Sequence, residues 1–156
     1  MIEPRTLSMH KLLSFMVLAA LLTISSTGQA QQSQDFGEFV VHYNALNTNL
    51  IPPQVAKGYG IKRSSSRALL NITVLKKVMD NPGTPVKATV SASGTNLTGQ
   101  LREIDIREIK DVEGAIYYIG ELTVHNMETY NFTVEVLPAG EQEPLIVKFR
   151  QQFYTE

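Results

Sequence analysis

The residues best equipped for chemistry in this 156-residue chain are three closely spaced carboxylates, two histidines beyond residue 30 and a serine triplet. Glu103, Asp105 and Glu108 stand at nearly alternate positions, and two carboxylates flanking one bond are what acid–base hydrolysis of a glycoside requires. Arg102, Arg107 and Lys110 interleave with them around Ile104 and Ile106, which is the pattern of a strand with an outward charged stripe. Neither His42 nor His125 is followed by a metal ligand at i+2 or i+4, so no metal spacing is formed. Ser64-Ser65-Ser66 lacks the Gly-x-Ser-x-Gly frame of a nucleophile elbow and suits a linker or strand entry. The chain has no Cys, which removes thiolate catalysis, thiolate metal sites and disulfides. No cofactor is implied. One enzymatic alternative stays open, a carboxylate-dependent hydrolase, which needs Asp105, Glu121 or Glu135 to converge with His125 in a cleft.

Charge is segregated along the chain although its total is only −1. Phe39 to Arg102 holds eight bases against one acid, and Glu103 to Val147 ten acids against two bases. Such halves can meet as cross-strand ion pairs, each weak when exposed. Alternatively, Lys57, Lys62, Arg63 and Arg67 form a patch that receives an anionic ligand or partner. Nucleic acid is not an expected partner, because downstream of Ala30 twelve bases face fourteen acids, the wrong sign for a phosphate backbone.

The elements that must position these residues begin after an export signal. Arg5 and Lys11 precede an apolar run from Leu12 to Leu22, and Gly28-Gln29-Ala30 puts small residues at −3 and −1, so cleavage is expected after Ala30. A membrane-spanning helix takes roughly 20 apolar residues, so this run is too short, and no stable anchor is expected once it is removed. The Gln-rich leader, residues 31–35, is expected to be disordered, and residues 36–156 to form one domain.

Within that domain period-two alternation of β-branched and aromatic residues predicts seven strands. They are Phe36 to Tyr43, Arg67 to Lys77, Val86 to Ala92, Leu101 to Ile109, Ile116 to Val124, Tyr130 to Val136 and Leu145 to Tyr154. In the second, Leu69 and Leu75 lie opposite Ala68, Leu70, Ile72 and Val74, so both of its faces are expected to be covered. In the fourth, Leu101 and Ile109 fall out of phase with Ile104 and Ile106, which predicts a bulge. The short His125 to Thr129 link predicts a hairpin of the fifth and sixth strands. Met79 to Pro85 reads as turn, and Tyr117 and Tyr118 give one aromatic to each face. The fold class is therefore all-β, an immunoglobulin-like antiparallel sandwich of about seven strands.

Asn44 to Ile61 departs from the alternation, and a loop that long in a compact domain needs structure or a task of its own. Pro52-Pro53 can start one short helix carrying Val55, Ala56 and Lys57, with Gly58 to stop it.

Phe36-Gly37, Val41 to Asn44, Val55-Ala56-Lys57, Tyr59-Gly60-Ile61, Asn71 to Lys77, Asn96 to Gln100, Arg107-Glu108-Ile109, Ile116-Tyr117-Tyr118 and Gln152-Phe153-Tyr154 together resemble an exported family of Gram-negative bacteria. That family is the one numbered 4426 among the domains of unknown function. The resemblance covers essentially the whole chain after the signal and implies a periplasmic protein without assigning a mechanism or any active-site residue.

The expected function is a non-enzymatic periplasmic binding or accessory module that recognises a protein or anionic partner through residues 44–67. His42, Asn44, Lys57, Tyr59, Lys62, Arg63, Arg67 and, from a turn before the fourth strand, Asn96 are the candidate contacts. A structural part of an envelope assembly is the second alternative.

Overall fold

A computed structural model describes residues 32–156 apart from Asp80; the expected signal peptide and its cleavage site after Ala30 lie outside the described residues. Ten strands form among the described residues. In chain order they are β1 (Gln32–Asp35), β2 (Phe39–Asn47), β3 (Arg67–Val78), β4 (Asn81–Pro85), β5 (Ala88–Asn96), β6 (Leu101–Ile104), β7 (Ile106–Lys110), β8 (Ile116–Thr123), β9 (Thr129–Pro138) and β10 (Leu145–Gln152). Between β2 and β3 come a 3-10 turn, Thr48–Leu50, and helix α1, Pro53–Gly58. All pairings are antiparallel. One sheet runs β1-β2-β3-β8-β7 with β4 added to the far end of β3, and the other runs β10-β9-β5-β6. The expected antiparallel β-sandwich with one short helix in its first long connection is the fold that forms.

Alternation supplies the core between the sheets. Val41, Leu70, Ile72 and Val74 from one sheet meet Phe132, Val134, Val136 and Val147 from the other, all essentially without exposure. Phe132 stacks on Phe149 at 4.9 Å between ring centroids and meets Phe153 edge-on at 6.3 Å, geometries that aromatic quadrupoles favour.

The anomalous phase of the fourth strand marks more than a bulge. The chain leaves the second sheet after Ile104 and enters the first at Ile106, turning at Asp105 so that both isoleucines pack on the core. Leu101 is left exposed, and Ile109 faces a second cluster. This crossing rests on Gly120 of β8, where an added Cβ would lie 2.5 Å from Ile104 Cγ2 and 3.0 Å from the Asp105 carbonyl oxygen.

The link before β9 is not a hairpin. β8 pairs with β3 and β7, whereas β9 pairs with β5 and β10. Tyr118, Leu122 and Val124 therefore face Tyr130, Phe132 and Val134 across the core instead of lying beside them. A link of this length serves either a hairpin or a change of sheet, and a strand apolar on both faces, as β8 is, needs covers on both sides. Two further segments differ from expectation. Gln32–Asp35 pairs with β2 as an edge strand instead of a disordered leader, tied down where Lys77 Nζ donates to the Asp35 carboxylate and the Gly37 N–H donates to Asp35 Oδ1 at 2.9 Å. Asn81–Pro85, within the expected turn, returns along β3 through a register shift between Lys76 and Val78.

Candidate functional site

On β3, Leu69, Asn71 and Thr73 point away from the core, opposite Leu70 and Ile72. Across the sheet Asn71 pairs with Ile119 of β8 and Ile109 of β7 pairs with Tyr117 of β8, so this outer face carries a largely apolar floor. The segment Thr48 to Ile61 is its cover. Pro53 opens α1 at a first-turn position where its missing N–H costs nothing. The helix closes on Gly60 instead of Gly58. The Ile61 N–H donates to the Ala56 carbonyl at 2.8 Å and the Gly60 N–H to the Lys57 carbonyl at 3.3 Å, with Gly60 at φ +65°, the Schellman arrangement. That closure drives Ala56 and Ile61 down onto Leu69 and Ile119. The Thr48 side chain, fully buried, holds the cover in place: its hydroxyl bonds the Lys62 carbonyl at 2.9 Å and accepts the Ser64 N–H at 2.9 Å.

Floor and cover do not meet everywhere. A cavity of about 310 Å³ remains, with Leu69, Asn71, Ile109, Tyr117 and Ile119 beneath and Ile51, Val55, Tyr59 and Ile61 above. That size sits at the small end of ligand pockets, which run from roughly 300 to 1,000 Å³. Asn71 Oδ1 is buried without a hydrogen-bond partner. Asn44 pairs directly with Asn71, and His42 with Thr73, across β2 and β3, so four half-buried polar side chains share one sheet face, of which Asn71 lines the cavity. Tyr117 is pushed above the ordinary phenol range by its desolvation, with further upward pressure from Asp111, Tyr59 and Glu113, and so stays a neutral hydrogen-bond donor. Arg107 Nη2 donates to the Tyr59 carbonyl at 2.6 Å, pinning the edge of the cover to β7.

The candidate contacts divide accordingly. Tyr59 lines the cavity, Asn44 stands opposite Asn71 of its floor, and His42 lies one pair further along the same face, opposite Thr73. Arg63 is engaged with the cover itself, donating to the Asn49 carbonyl at 2.6 Å. Arg67 donates to Glu121 Oε2 at 3.0 Å from Nη2 and 3.3 Å from Nε. Lys57 and Lys62 are exposed on the cover. Of the ion pairs among the described residues, Arg67–Glu121 alone joins the two charged halves; Lys110–Glu108 and His125–Glu128 stay within the acidic half, and Lys76–Glu38 and Lys77–Asp35 join bases of the first half to acids that precede it. The halves are neighbours in both sheets, through β3–β8 in the first and β5–β9 in the second, but Lys57, Lys62 and Arg63 stand on or beside the cover and Lys76 and Lys77 on the end of β3 beyond its pairing with β8, which sequence order does not reveal.

Asn96 belongs to the second sheet and serves its turn. Its Oδ1 accepts the N–H groups of Thr98 (3.2 Å) and Gln100 (2.9 Å) and the Thr98 hydroxyl (2.7 Å). Its Nδ2 donates to Gln100 Oε1 and Glu128 Oε1, each at 3.1 Å. The side chain is saturated, with no capacity for a ligand. Glu128 Oε2 in turn accepts the His125 N–H at 2.9 Å and lies 3.0 Å from His125 Nδ1. Burial alone would raise the Glu128 carboxyl, but these bonds outweigh it and hold the group down at about 2. His125 is thus committed to Glu128, Glu121 to Arg67, and Glu135 stands exposed on β9; the arrangement a hydrolase would require is not assembled from these residues. Among the described residues no group of three His, Asp or Glu side chains can hold a metal ion.

Asn71, Leu69, Ile109, Tyr117 and Ile119 are the site residues that contact candidates drawn from loop position and charge omit. Their signal is nonetheless in the sequence: Leu69 and Ile109 are the out-of-phase residues of their strands, and Tyr117 is the outward member of its aromatic pair.

The family model described as a domain of unknown function, DUF4426, matches residues 33–156. A crystal structure of a DUF4426 family protein from Pseudomonas aeruginosa PAO1 is similar at 32% sequence identity and a TM-score of 0.71, covering 83% of this chain and 98% of that one. No curated protein matches the chain.

Proposed function

The chain belongs to the DUF4426 family, and because that membership assigns no activity, we propose from the site itself that the protein is an exported periplasmic binding module. It takes an apolar group of a partner between the Thr48–Ile61 cover and the outer face of the first sheet. The observation that carries this reading is the cavity of about 310 Å³ walled by six aliphatic side chains and two tyrosines, with a partnerless buried amide oxygen in its lining. Seating one aliphatic side chain there removes apolar surface from water on both partners and stabilises a complex by roughly 1.5–3 kcal/mol, enough to orient a partner held by further contacts. Export is supported by the basic start, apolar run and small-residue motif of Met1 to Ala30. The anionic-partner reading is weakened, because Arg63 and Arg67 are already engaged.

A photo-crosslinking side chain at Val55, which is 43% exposed at the cavity, tests this in the cells that make the protein. The expected result is a recurrent adduct in the periplasmic fraction, absent with the label at exposed Ser91 on the other sheet and lost when Ile119→Trp fills the cavity. An adduct that survives Ile119→Trp in a folded protein would move binding elsewhere, and a mature protein whose first residue lies inside Met1 to Ala30 would remove the expected processing.

A further inference from the structure

The cavity's chemistry is divided, and the division describes an occupant. Its walls are six branched aliphatic side chains with Tyr59 and Tyr117, and Asn71 at its floor stands directly opposite a second carboxamide, Asn44, across β2 and β3. Cross-strand neighbours stand about 5 Å apart, and each carboxamide offers one acceptor oxygen and two N–H donors, the complement of a peptide bond's N–H and C=O. Asn71 Oδ1 already lacks a donor, and a buried acceptor left unpaired is unfavourable until something supplies one. Next to Tyr117 the β7–β8 connection brings Asp111, whose Oδ1 accepts the Glu113 and Ala115 N–H groups, and exposed Glu113; with Lys110 paired to Glu108, that side of the cavity carries net negative charge. An anionic head, such as a fatty acid carboxylate, would meet these acids, while Arg63, Arg67 and Arg107 are oriented onto Asn49, Glu121 and Tyr59 and Lys57 and Lys62 are exposed on the cover, outside the cavity lining. A sugar could face Tyr59 and Tyr117 but would set its hydroxyls against the six aliphatic side chains of the wall.

We propose that the occupant is an extended peptide segment: one aliphatic side chain fills the cavity, the backbone amide beside it bonds the Asn44–Asn71 pair, and a basic residue next in sequence lies toward Asp111 and Glu113. This deepens the binding-module reading and rests on it.

Three probes separate the two claims when titrated into the purified, isotope-labelled protein and followed by NMR: a blocked leucyl-lysine dipeptide amide, its leucyl-glutamate counterpart, and 1-hexanol. All three are expected to shift the amides of Leu69 and Ile119, and only the peptides those of Asn44 and Asn71, with the lysine peptide binding several-fold tighter than the glutamate peptide at low salt. Asn71→Ala is expected to weaken the lysine peptide about fivefold, the order of one hydrogen bond, and hexanol, which has no amide to pair, by clearly less; a hexanol titration that still saturates also reports an intact cavity. Asn44→Ala, at a half-exposed position, gives the same reading if Asn71→Ala does not fold. Peptides that bind like hexanol, ignore both asparagine substitutions, or favour glutamate overturn the peptide assignment while leaving the cavity reading in place. If none of the three produces saturable shifts, the binding-module reading falls as well.

Discussion

Leu69 and Leu70 are successive residues of β3, nearly equally buried at 6% and 0% exposure, and they stand in two different kinds of interior. Leu70 lies between two pleated sheets whose side chains interdigitate along the whole strand, as they do in aligned sandwiches. Leu69 lies beneath a six-residue helix and irregular chain, whose few downward side chains cannot match the pleat row by row. The inner face is filled and the outer one keeps a cavity. Burial alone does not distinguish the two; the regularity of what covers them does. A sheet that carries a core can therefore keep a cavity on its second face when that face is covered by something less regular.

The largest effect should separate the two leucines. Leu70→Ala is expected to cost about 3–5 kcal/mol, the upper part of the range for truncation in a tight core. Leu69→Ala should cost about 2 kcal/mol or less, since its neighbours already border open space, while enlarging the cavity and weakening 1-hexanol binding. Urea unfolding of both variants measures this, and equal costs would break the comparison. Gly120→Ala probes the tightest point on the inner side. A Cβ 2.5 Å from Ile104 Cγ2 and near backbone at Asp105 cannot be accommodated by one rotamer change, so overpacking should cost about 1–3 kcal/mol, whereas Gly58→Ala on the exposed cover, where an added Cβ meets nothing within 4 Å, should be close to neutral.

A smaller effect sharpens the comparison at the end of the sandwich where Asn96, His125 and Glu128 meet. The Glu128 carboxyl lies at about 2 against an ordinary 4.5, so the folded state binds its proton more weakly than the unfolded chain does. The resulting stability is complete above about pH 4.5 and is lost as pH falls through 2. Glu128→Gln is expected to lower stability at pH 7 by roughly 1–2 kcal/mol and to flatten the pH dependence of urea midpoints in that window; an unchanged slope would show that other carboxyls carry it. The smallest effect is Arg67→Ala. Its bond to Glu121 is the one ion pair joining the two charged halves among the described residues, yet at a partly exposed site it should be worth under about 1 kcal/mol, and a larger loss would restore a structural role to the charge segregation.

Much of the fold was legible because alternation reports which side of a strand is apolar. The cover was legible too, since Pro53 and the break in alternation after Asn44 placed α1. Alternation does not say which neighbour a strand takes. Hence the change of sheet at Asp105 was visible only as a phase slip, and the His125 to Thr129 link read equally well as a hairpin. The polar sequence of β1 concealed an edge strand held by backbone pairing and by Asp35. Of the candidate contacts, Tyr59 lines the cavity and Asn44 stands opposite Asn71 of its floor, whereas Arg63 and Arg67 of the same region are occupied and Lys57 and Lys62 stay exposed. Asn96 was misplaced because a turn-forming Asn and a ligand-binding Asn look alike in sequence; only the hydrogen bonds that saturate it tell them apart.

The central claim is that the outer face of the first sheet is a receptive apolar interior and the inner face a sealed one. Methyl-labelled protein titrated with 1-hexanol tests it most directly, with Ile51, Leu69, Ile109 and Ile119 reporting on the cavity and Leu70, Ile72, Val134 and Val147 on the core. Saturable shifts confined to the first group are the predicted result; shifts spread evenly over both groups, or none that saturate, would contradict it.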